Sequence, residues 1–214
     1  MGVTTSLPLL ILILGSYDPN TKQVLYAVKD EIAKLSTFYD ELTLIPVLLA
    51  DIEIYDLKSD VYRLALVERF KDKHTVMLFN HKNELTNVED VNTPKLEDVE
   101  LHMKEHLNIT GLRKLDVFEK FRFLAYRSWH VIIIRHEELT RCGEYIELAY
   151  LILHRLPILK ITLLIREGIP ISTMLKELIR MTRLYHERYK DLNDLLYIVR
   201  SIINNLIKGF IRYK

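Results

Sequence analysis

The chain has 214 residues, of which 49% are hydrophobic and 28% charged, so it is long and apolar enough to bury a sizeable core. Its 30 basic and 29 acidic residues give a formal net charge of +1, which argues against the basic surface that duplex nucleic acid requires. The single cysteine, Cys142, excludes an intrachain disulfide and favours a reducing compartment, so we expect a cytoplasmic protein. Abundant Lys, Glu, Ile and Leu beside a single glutamine are typical of thermophile proteins, archaeal ones included.

The apolar segment Leu7–Leu14 predicts a first strand rather than a secretion signal. No basic residue lies between Met1 and this segment, and the polar sequence from Gly15 to Asn20 follows it. A signal peptide instead has a basic start and small residues at its cleavage site. No stretch reaches the length of a membrane span without charges, so we expect no membrane contact.

Apolar runs rich in β-branched residues alternate along the chain with segments of helical apolar spacing. The predicted strands are Leu9–Leu14, Leu42–Leu49, His74–Asn80, His130–Arg135, Lys160–Arg166 and Arg183–Tyr189. The predicted helices are Thr21–Leu35, Asp60–Phe70, Glu144–Leu153, Ser172–Met181 and a final helix over about residues 191–208. This alternation predicts an α/β fold, namely a Rossmann-like (flavodoxin-like) three-layer sandwich on a mostly parallel sheet of five or six strands.

We expect a single α/β domain over residues 1–214, interrupted by a polar insertion at about 81–110. The insertion is rich in Lys, Glu, Asp and Asn, becomes helical towards Val99–His106, and is interpreted as a lid or a partner contact. The final helix carries a wide apolar stripe from Leu195 to Ile211. Burial of this stripe in the chain's own core is the favoured interpretation, and a homodimer surface is the alternative.

The turn after the first strand reads Gly15-Ser16-Tyr17-Asp18. A glycine here lets backbone approach a ligand, and the start of the following helix attracts a phosphate or a carboxylate. The turn lacks the complete Gly-x-Gly-x-x-Gly pattern, so a standard NAD-binding site is not indicated. An ordinary strand-to-helix turn is an equally good interpretation of these residues.

A second polar segment follows the predicted strand His130–Arg135 and leads into a helix that contains Gly143, Glu144 and Glu147. Ligands of open α/β sheets bind outside the carboxyl ends of the strands. Gly143, Glu144 and His136 are therefore predicted to line a ligand site. Glu147 is placed where a carboxylate can act on a bound small molecule.

The spacing Gly143-x-x-x-Glu147-x-x-Tyr150 resembles that of the nucleoside 2-deoxyribosyltransferases and their TIR-like relatives. The Gly15-Ser turn and the stretch Tyr189-Lys-Asp-Leu-Asn-Asp-Leu are also similar to the start and end of those proteins. The resemblance implies that Glu147 acts at the anomeric carbon of a nucleoside or of NAD. It implies no further cofactor, since NAD or a nucleoside would be the substrate or ligand.

The chemistry of such a reaction suits these residue types. Cleavage of an N-glycosidic bond builds positive charge at C1′ of the sugar, which a carboxylate such as Glu147 can attack or stabilise. Tyr17, Asp18 and His136 are candidates for positioning the sugar hydroxyls. The family often has an aspartate just before the fourth strand, whereas the matching stretch Arg127–His130 contains no acid. A non-catalytic module that binds or senses nucleotides on the same fold is therefore the alternative function.

Two further patterns in the sequence resemble metal sites. Residues 102–106 read His-Met-Lys-Glu-His, a zinc-binding pattern, although a solvated helix face is the favoured interpretation. Asp56-Leu-Lys58, with Asp51 and Glu53 upstream, suits a Mg²⁺-dependent nuclease, although a charged loop is favoured. The sequence therefore predicts no metal site.

Overall fold

The computed structural model describes residues 7–36, 42–70, 73–82, 84–137, 143–154 and 156–212. The protein is α/β, with a five-stranded parallel sheet, a separate five-stranded antiparallel sheet and, within the described residues, six α-helices. It forms two compact units. The first comprises Met1–Leu48 and Ala125–Lys214, and the second comprises Leu49–Leu124.

The elements follow one another as β1 (Leu7–Gly15), α1 (Pro19–Ser36), β2 (Leu42–Leu48), β3 (Ile52–Lys58), β4 (Tyr62–Phe70), β5 (Lys73–Asn80), β6 (Leu85–Val91), α2 (Leu96–His106), β7 (Gly111–Lys114), α3 (Val117–Arg127), β8 (His130–Arg135), α4 (Gly143–Leu153), β9 (Ile161–Arg166), α5 (Thr173–Thr182), β10 (Tyr185–Tyr189) and α6 (Leu192–Arg212). Short 3₁₀ turns occupy Leu49–Asp51 and Ile158–Lys160.

The parallel sheet lies in the first unit and has the strand order β10-β9-β8-β1-β2. All six residues of β8 are buried, because a central parallel strand is covered on both faces and needs an almost unbroken apolar run. Gly15 of β1 lies beside Ile134 of β8, and Arg135 lies beside Ile165 of β9. The prediction of a parallel sheet is confirmed, with five of the six predicted strands in it.

Helices α1 and α6 pack against one another and share a core with the parallel sheet. The apolar side chains of α1 that recur at helical spacing are all buried: Val24, Leu25, Val28, Ile32 and Leu35. Those of α6 that form the innermost row are fully buried: Leu195, Val199, Ile203 and Ile207. The flanking residues Leu196, Ile202 and Leu206 contact the same core, so the wide stripe is used within the unit. Among the described residues, no helix is long and apolar enough to cross a membrane.

The second unit contains the antiparallel sheet, whose strand order is β6-β5-β4-β3-β7. Helix α2 packs on one face of it through Val99 and Met103, which are fully buried in a core shared with Tyr55 and Leu78. The hydroxyl of Tyr55 also donates a hydrogen bond of 2.7 Å to Glu100 on α2. The segment predicted as a polar insertion, 81–110, supplies β6 and α2 to this unit, and its helical end is confirmed.

The predicted helix over Asp60–Phe70 is wrong, because these residues form strand β4. The four residues Leu64–Val67 are buried in succession, so both faces of the strand are covered and the alternation that marks a strand is lost. Pairing with β5 then decides the structure, and it also places His74–Asn80 in the antiparallel sheet rather than the parallel one. The charged loop predicted around Asp56 is likewise wrong, since it is strand β3.

Candidate functional site

The order of the parallel strands reverses between β1 and β8. From β1 the chain continues to β2 on one side, whereas from β8 it continues to β9 and β10 on the other. Ligands of open α/β sheets bind where the order reverses, outside the carboxyl ends of the strands. The residues that follow β1 and β8 at this edge are the turn 15–18 and His136. Two neighbouring strands end here in polar side chains, Arg166 on β9 and Tyr189 on β10.

Close packing accounts for the glycine at the end of β1. A Cβ atom on Gly15 would lie 2.9 Å from the carbonyl oxygen of Ile134 and 2.9 Å from a methyl group of Leu25. The first of these atoms belongs to the backbone of β8 and cannot move aside. Gly15 is therefore required by the approach of β8 and α1, whether or not a ligand binds.

Asp18 caps helix α1 and is followed by proline at the first helical position, a common start for a helix. Its Oδ1 atom accepts hydrogen bonds from the backbone N–H groups of Asn20 at 3.1 Å and Thr21 at 3.0 Å. The N–H of Lys22 donates to the Asp18 carbonyl at 2.8 Å, and Pro19 has no N–H. All four groups at this helix end are accounted for, so the predicted attraction of a phosphate here is replaced by a resident carboxylate.

The carboxylate of Asp18 is held in its charged form. Burial alone would raise the pKa of Asp18, but hydrogen bonds from the side chain of Ser16 and the backbone of Thr21 outweigh it and lower the pKa to about 2. The Oδ2 atom of Asp18 is buried. Ser16 also stabilises the turn by accepting the N–H of Asp18 at 3.3 Å. Tyr17 differs from both, since its ring packs against the core of the unit.

His136 lies against Tyr189, which reaches it from the end of β10. The Nδ1 atom of His136 is 2.9 Å from the Tyr189 hydroxyl, and this hydroxyl is also 3.4 Å from the carbonyl oxygen of Arg135. Burial, and after it the charge of Arg166, lowers the pKa of His136. The carboxylates of Glu137 and Asp18 oppose that shift. Burial also raises the pKa of Tyr189, so its phenol is neutral near neutral pH.

Helix α4 carries Glu147 and packs against β1 and β8. Leu148 and Leu151 fix the helix through their buried side chains. Glu147 is half-buried, with its Oε2 atom shielded from solvent. For the neighbouring site candidates Gly143 and Glu144 the structure describes the backbone alone, and Cys142 lies outside the described residues.

The predicted residues Ser16, Asp18 and His136 thus lie at one edge of the sheet, and α4 is packed on the strands that meet there. Sequence reasoning did not assign Arg166 or Tyr189 to the site. Both are the last residue of a predicted strand, so the rule that pointed to His136 also points to them.

The two metal patterns are explained by other contacts. Nε2 of His102 lies 3.0 Å from the carboxylate of Glu89. The rings of His102 and His106 are tilted against one another, with 4.7 Å between their centroids. Asp56 is half-exposed and lies 3.6 Å from Arg113. Within the described part of the chain, no three His, Cys, Asp or Glu side chains are grouped to hold a metal ion.

The second unit contains a cavity of about 340 Å³ between β4, β5 and the start of α2. Its wall mixes acids with bases, including Glu53, Arg69 and His74. Glu53 is bonded to Lys114 at 3.1 Å and Lys120 at 3.4 Å. The charges on the wall of this cavity are therefore mixed.

Comparison of the chain with family profiles, with curated proteins and with solved structures finds no match. The geometry at the edge of the parallel sheet is therefore what supports an assignment of function. This edge combines the carboxylate of Asp18, which caps α1, with His136, which is bonded to the buried Tyr189, and with the half-buried Glu147 on the adjoining helix.

Proposed function

We propose that the protein binds a nucleoside or nucleotide at the edge of its parallel sheet and cleaves or transfers at the N-glycosidic bond through Glu147. The observation that carries this proposal is the reversal of strand order between β1 and β8, with Asp18, His136 and helix α4 beside it. The order 2-1-8-9-10 also supports the finer fold assignment, a Rossmann-like (flavodoxin-like) three-layer sandwich. Flavodoxin-like sheets have the order 2-1-3-4-5, which reverses beside the first strand in the same way, and they bind ligands at that reversal.

The proposed reaction uses Glu147 on the sugar. As the bond from C1′ to the base breaks, its electron pair leaves with the base and positive charge develops on the sugar. The carboxylate of Glu147 either attacks C1′ or stabilises this charge, and water or a second base then takes the sugar.

The charges at the edge of the sheet fit a sugar whose C1′ becomes positive. Asp18 adds a carboxylate that is ionised at every pH above about 2. Arg166, on the strand next to β8 and on the other side from β1, is a cation that a phosphate group could pair with. NAD or a nucleoside enters this site as substrate, and the proposal needs no resident cofactor.

Release of free base measures the proposed activity. The purified protein is incubated with ribonucleosides, deoxyribonucleosides and NAD, and the products are separated by chromatography. Glu147→Gln should lower base release by about 100-fold or more while leaving the melting temperature unchanged. Glu177→Gln is the matched control, because Glu177 is an exposed acid on α5 that pairs with Arg180 at 2.7 Å. Undiminished turnover in Glu147→Gln would show that Glu147 is not the acting group.

Non-catalytic binding is the second candidate, and the segment before β8 favours it. The backbone N–H of Trp129 donates to the carbonyl of Leu10 at 2.7 Å, and His130 is buried against Thr162, so the segment that often carries an aspartate in the family that the chain resembles is used here for structural contacts and contains no acid. A nucleotide-sensing module would be stabilised by a nucleotide in a thermal melt and would release no base. A Mg²⁺-dependent nuclease is the least favoured, and it requires activity that is lost in Asp56→Ala.

A further inference from the structure

Helix α4 is apolar on the side that faces away from the sheet as well as on the side that packs against it. Leu148 and Leu151 are buried on the inner side, where α4 contacts β1 and β8. The outer side presents four residues at positions i, i+3, i+4 and i+7 of one helical face, here called the outer stripe: Ile146, Ala149, Tyr150 and Leu153. A helix on the surface of a domain normally has charged or polar residues on this side.

The outer stripe is exposed to solvent in the single chain. Ile146 at its start is 65% exposed and Leu153 at its end is 79% exposed, whereas Ala149 and Tyr150 between them are partly exposed. The ring of Tyr150 lies against that of His154, with 4.1 Å between the two centroids. The apolar and aromatic surface therefore runs to the C-terminal end of the helix.

Two further side chains extend this surface. Tyr126, near the end of α3, is 51% exposed, and its hydroxyl donates a hydrogen bond of 3.2 Å to the carbonyl oxygen of His154, just after α4. Leu159, in the short turn that precedes β9, is 91% exposed. Scattered exposed apolar side chains are normal on a protein surface, whereas a continuous apolar surface marks an interaction site.

The area of this surface is large enough for a dimer. A fully exposed side chain of this size presents on the order of 200 Å², so the exposed fractions of the outer stripe, Tyr126 and Leu159 add up to roughly 600 Å² of mainly apolar surface. A stable dimer buries about 800 Å² on each subunit, and about 65% of this area, or roughly 500 Å², is apolar in homodimers. This one face therefore meets the apolar requirement of a homodimer interface.

The outer stripe is also self-complementary. Its midpoint lies between Ala149 and Tyr150, and an aliphatic side chain lies at each end. A two-fold axis through the midpoint makes the two copies of α4 antiparallel and places Ile146 against Leu153 of the partner subunit. The small side chain of Ala149 at the centre allows the two helices to approach closely.

The charges of the chain fit a second copy better than they fit a membrane or a strongly charged partner. Helix α4 contains no Lys or Arg, whereas helices that lie on a membrane surface carry many on their polar face. The outer stripe has no charged residue that would select an oppositely charged partner. The formal net charge of +1 causes little repulsion between two copies of the chain.

We propose that the chain forms a symmetric homodimer in which the outer stripe of α4 packs antiparallel against the outer stripe of a second copy. Tyr126 and Leu159 flank the paired helices. This surface differs from the C-terminal helix, whose apolar stripe is used within the first unit. The inference is independent of the proposed function, because none of the four stripe residues belongs to the proposed nucleoside site.

The mass of the protein in solution is the first test. Sedimentation equilibrium of the full chain at micromolar concentration should give twice the chain mass of 25.4 kDa. The melting temperature should also rise with protein concentration, because association stabilises only the folded chain. A mass of 25.4 kDa at every concentration up to the solubility limit would overturn the proposal.

A charged substitution tests the surface itself. Leu153→Glu should remain folded, since the side chain is exposed in the single chain, but in the dimer its carboxylate would be buried without a partner. The dissociation constant should therefore rise by about 100-fold or more. Tyr197→Glu is the matched control, because Tyr197 is a 69% exposed side chain on α6, and its dissociation constant should equal that of the wild-type protein. With both variants folded by circular dichroism, an unchanged dimer in Leu153→Glu or a monomeric Tyr197→Glu would overturn the proposal.

Cysteine cross-linking tests the antiparallel arrangement. Cys142, the single cysteine, is first replaced with serine, so that each variant carries one thiol. Ala149→Cys lies beside the two-fold axis and should form a disulfide between subunits on mild oxidation. Ile146→Cys should not, because the two copies of residue 146 lie about 10 Å apart along the helices, whereas a disulfide joins Cα atoms within roughly 7 Å. Efficient cross-linking of Ile146→Cys, or none of Ala149→Cys, would overturn the proposed packing.

Discussion

Replacing His130 with glutamine should alter how the stability of the first unit depends on pH. His130 lies on the central strand β8, is 2% exposed, and places Nε2 2.9 Å from the hydroxyl oxygen of Thr162. Its Nδ1 atom is buried and has no hydrogen bond to a described residue. Burial, with a smaller contribution from the charge of Lys160, lowers the pKa of His130 from 6.5 to about 4.

The sign and size of the effect follow from this shift. The unfolded chain takes up a proton on His130 as the pH falls below 6.5, whereas the folded chain resists protonation until about pH 4. The free energy of unfolding therefore decreases as the pH falls through this interval and reaches its full loss below it. The difference in pKa corresponds to about 3 kcal/mol, because one unit is worth about 1.4 kcal/mol.

Urea unfolding at several pH values, followed by tryptophan fluorescence, measures this loss. The chain has one tryptophan, Trp129, which precedes His130 and packs against the core of the first unit, so its signal reports on that unit. His130→Gln retains a polar group near Thr162 but cannot titrate, so its stability should fall less on acidification, by about 3 kcal/mol. His186→Gln, at an exposed position on β10, should follow the wild-type curve. Parallel curves for His130→Gln and the wild-type protein would refute the conclusion that His130 is buried in its neutral form.

Three further results are expected. Gly15→Ala should destabilise the fold by about 1–3 kcal/mol in urea unfolding, since the added Cβ meets the Ile134 backbone at 2.9 Å. Gly209→Ala in α6 is the control and should be neutral or stabilising, because a Cβ added there meets no neighbouring atom within 4 Å. A double-mutant cycle on Glu31 and Arg200, whose Oε1 and Nε atoms are 2.7 Å apart, should give an interaction energy of about 1–2 kcal/mol, and a value near zero would show that the pair is solvated. Nucleoside affinity, measured by calorimetry, should be lost at a lower pH than the ordinary pKa of histidine, 6.5, because the pKa of His136 is lowered. Loss of affinity already above pH 6.5 would contradict this.

The parallel sheet was predictable because its strands and helices can be identified from the local pattern of apolar residues. Strand β8 is apolar along its whole length, and α1 buries residues at the spacing of a single helix face. The antiparallel sheet was not, because the identity of β4 is decided by its pairing with β5 and not by its own pattern. In β3 the alternation of Ile52 and Ile54 with Glu53 is present in the sequence, but the acids at positions 51, 53 and 56 favoured the prediction of a charged loop.

The site was predictable in part for a similar reason. The turn ending in Asp18 follows a strand that is obvious in sequence, so its place at the sheet edge could be foreseen. The contact between His136 and Tyr189 could not, because it joins residues 53 positions apart and depends on the order of three strands. The Asp-Pro sequence is typical of a capped helix start. That the cap leaves no N–H group for a phosphate becomes evident only from the hydrogen bonds of the folded helix end.

Tyr189 connects the edge strand of the parallel sheet to the end of the central strand β8. It ends β10, the outermost strand, and crosses above β9 to bond with His136 and Arg135 at the end of β8. Terminal strands open first in native-state fluctuations, since one edge of their backbone is unpaired. Each local opening of β10 would break the contact between Tyr189 and the His136 ring. Ligand binding at the site should therefore stabilise the pairing of β10 with β9, and this pairing should in turn favour binding. A bound nucleoside should accordingly slow amide hydrogen exchange along β10.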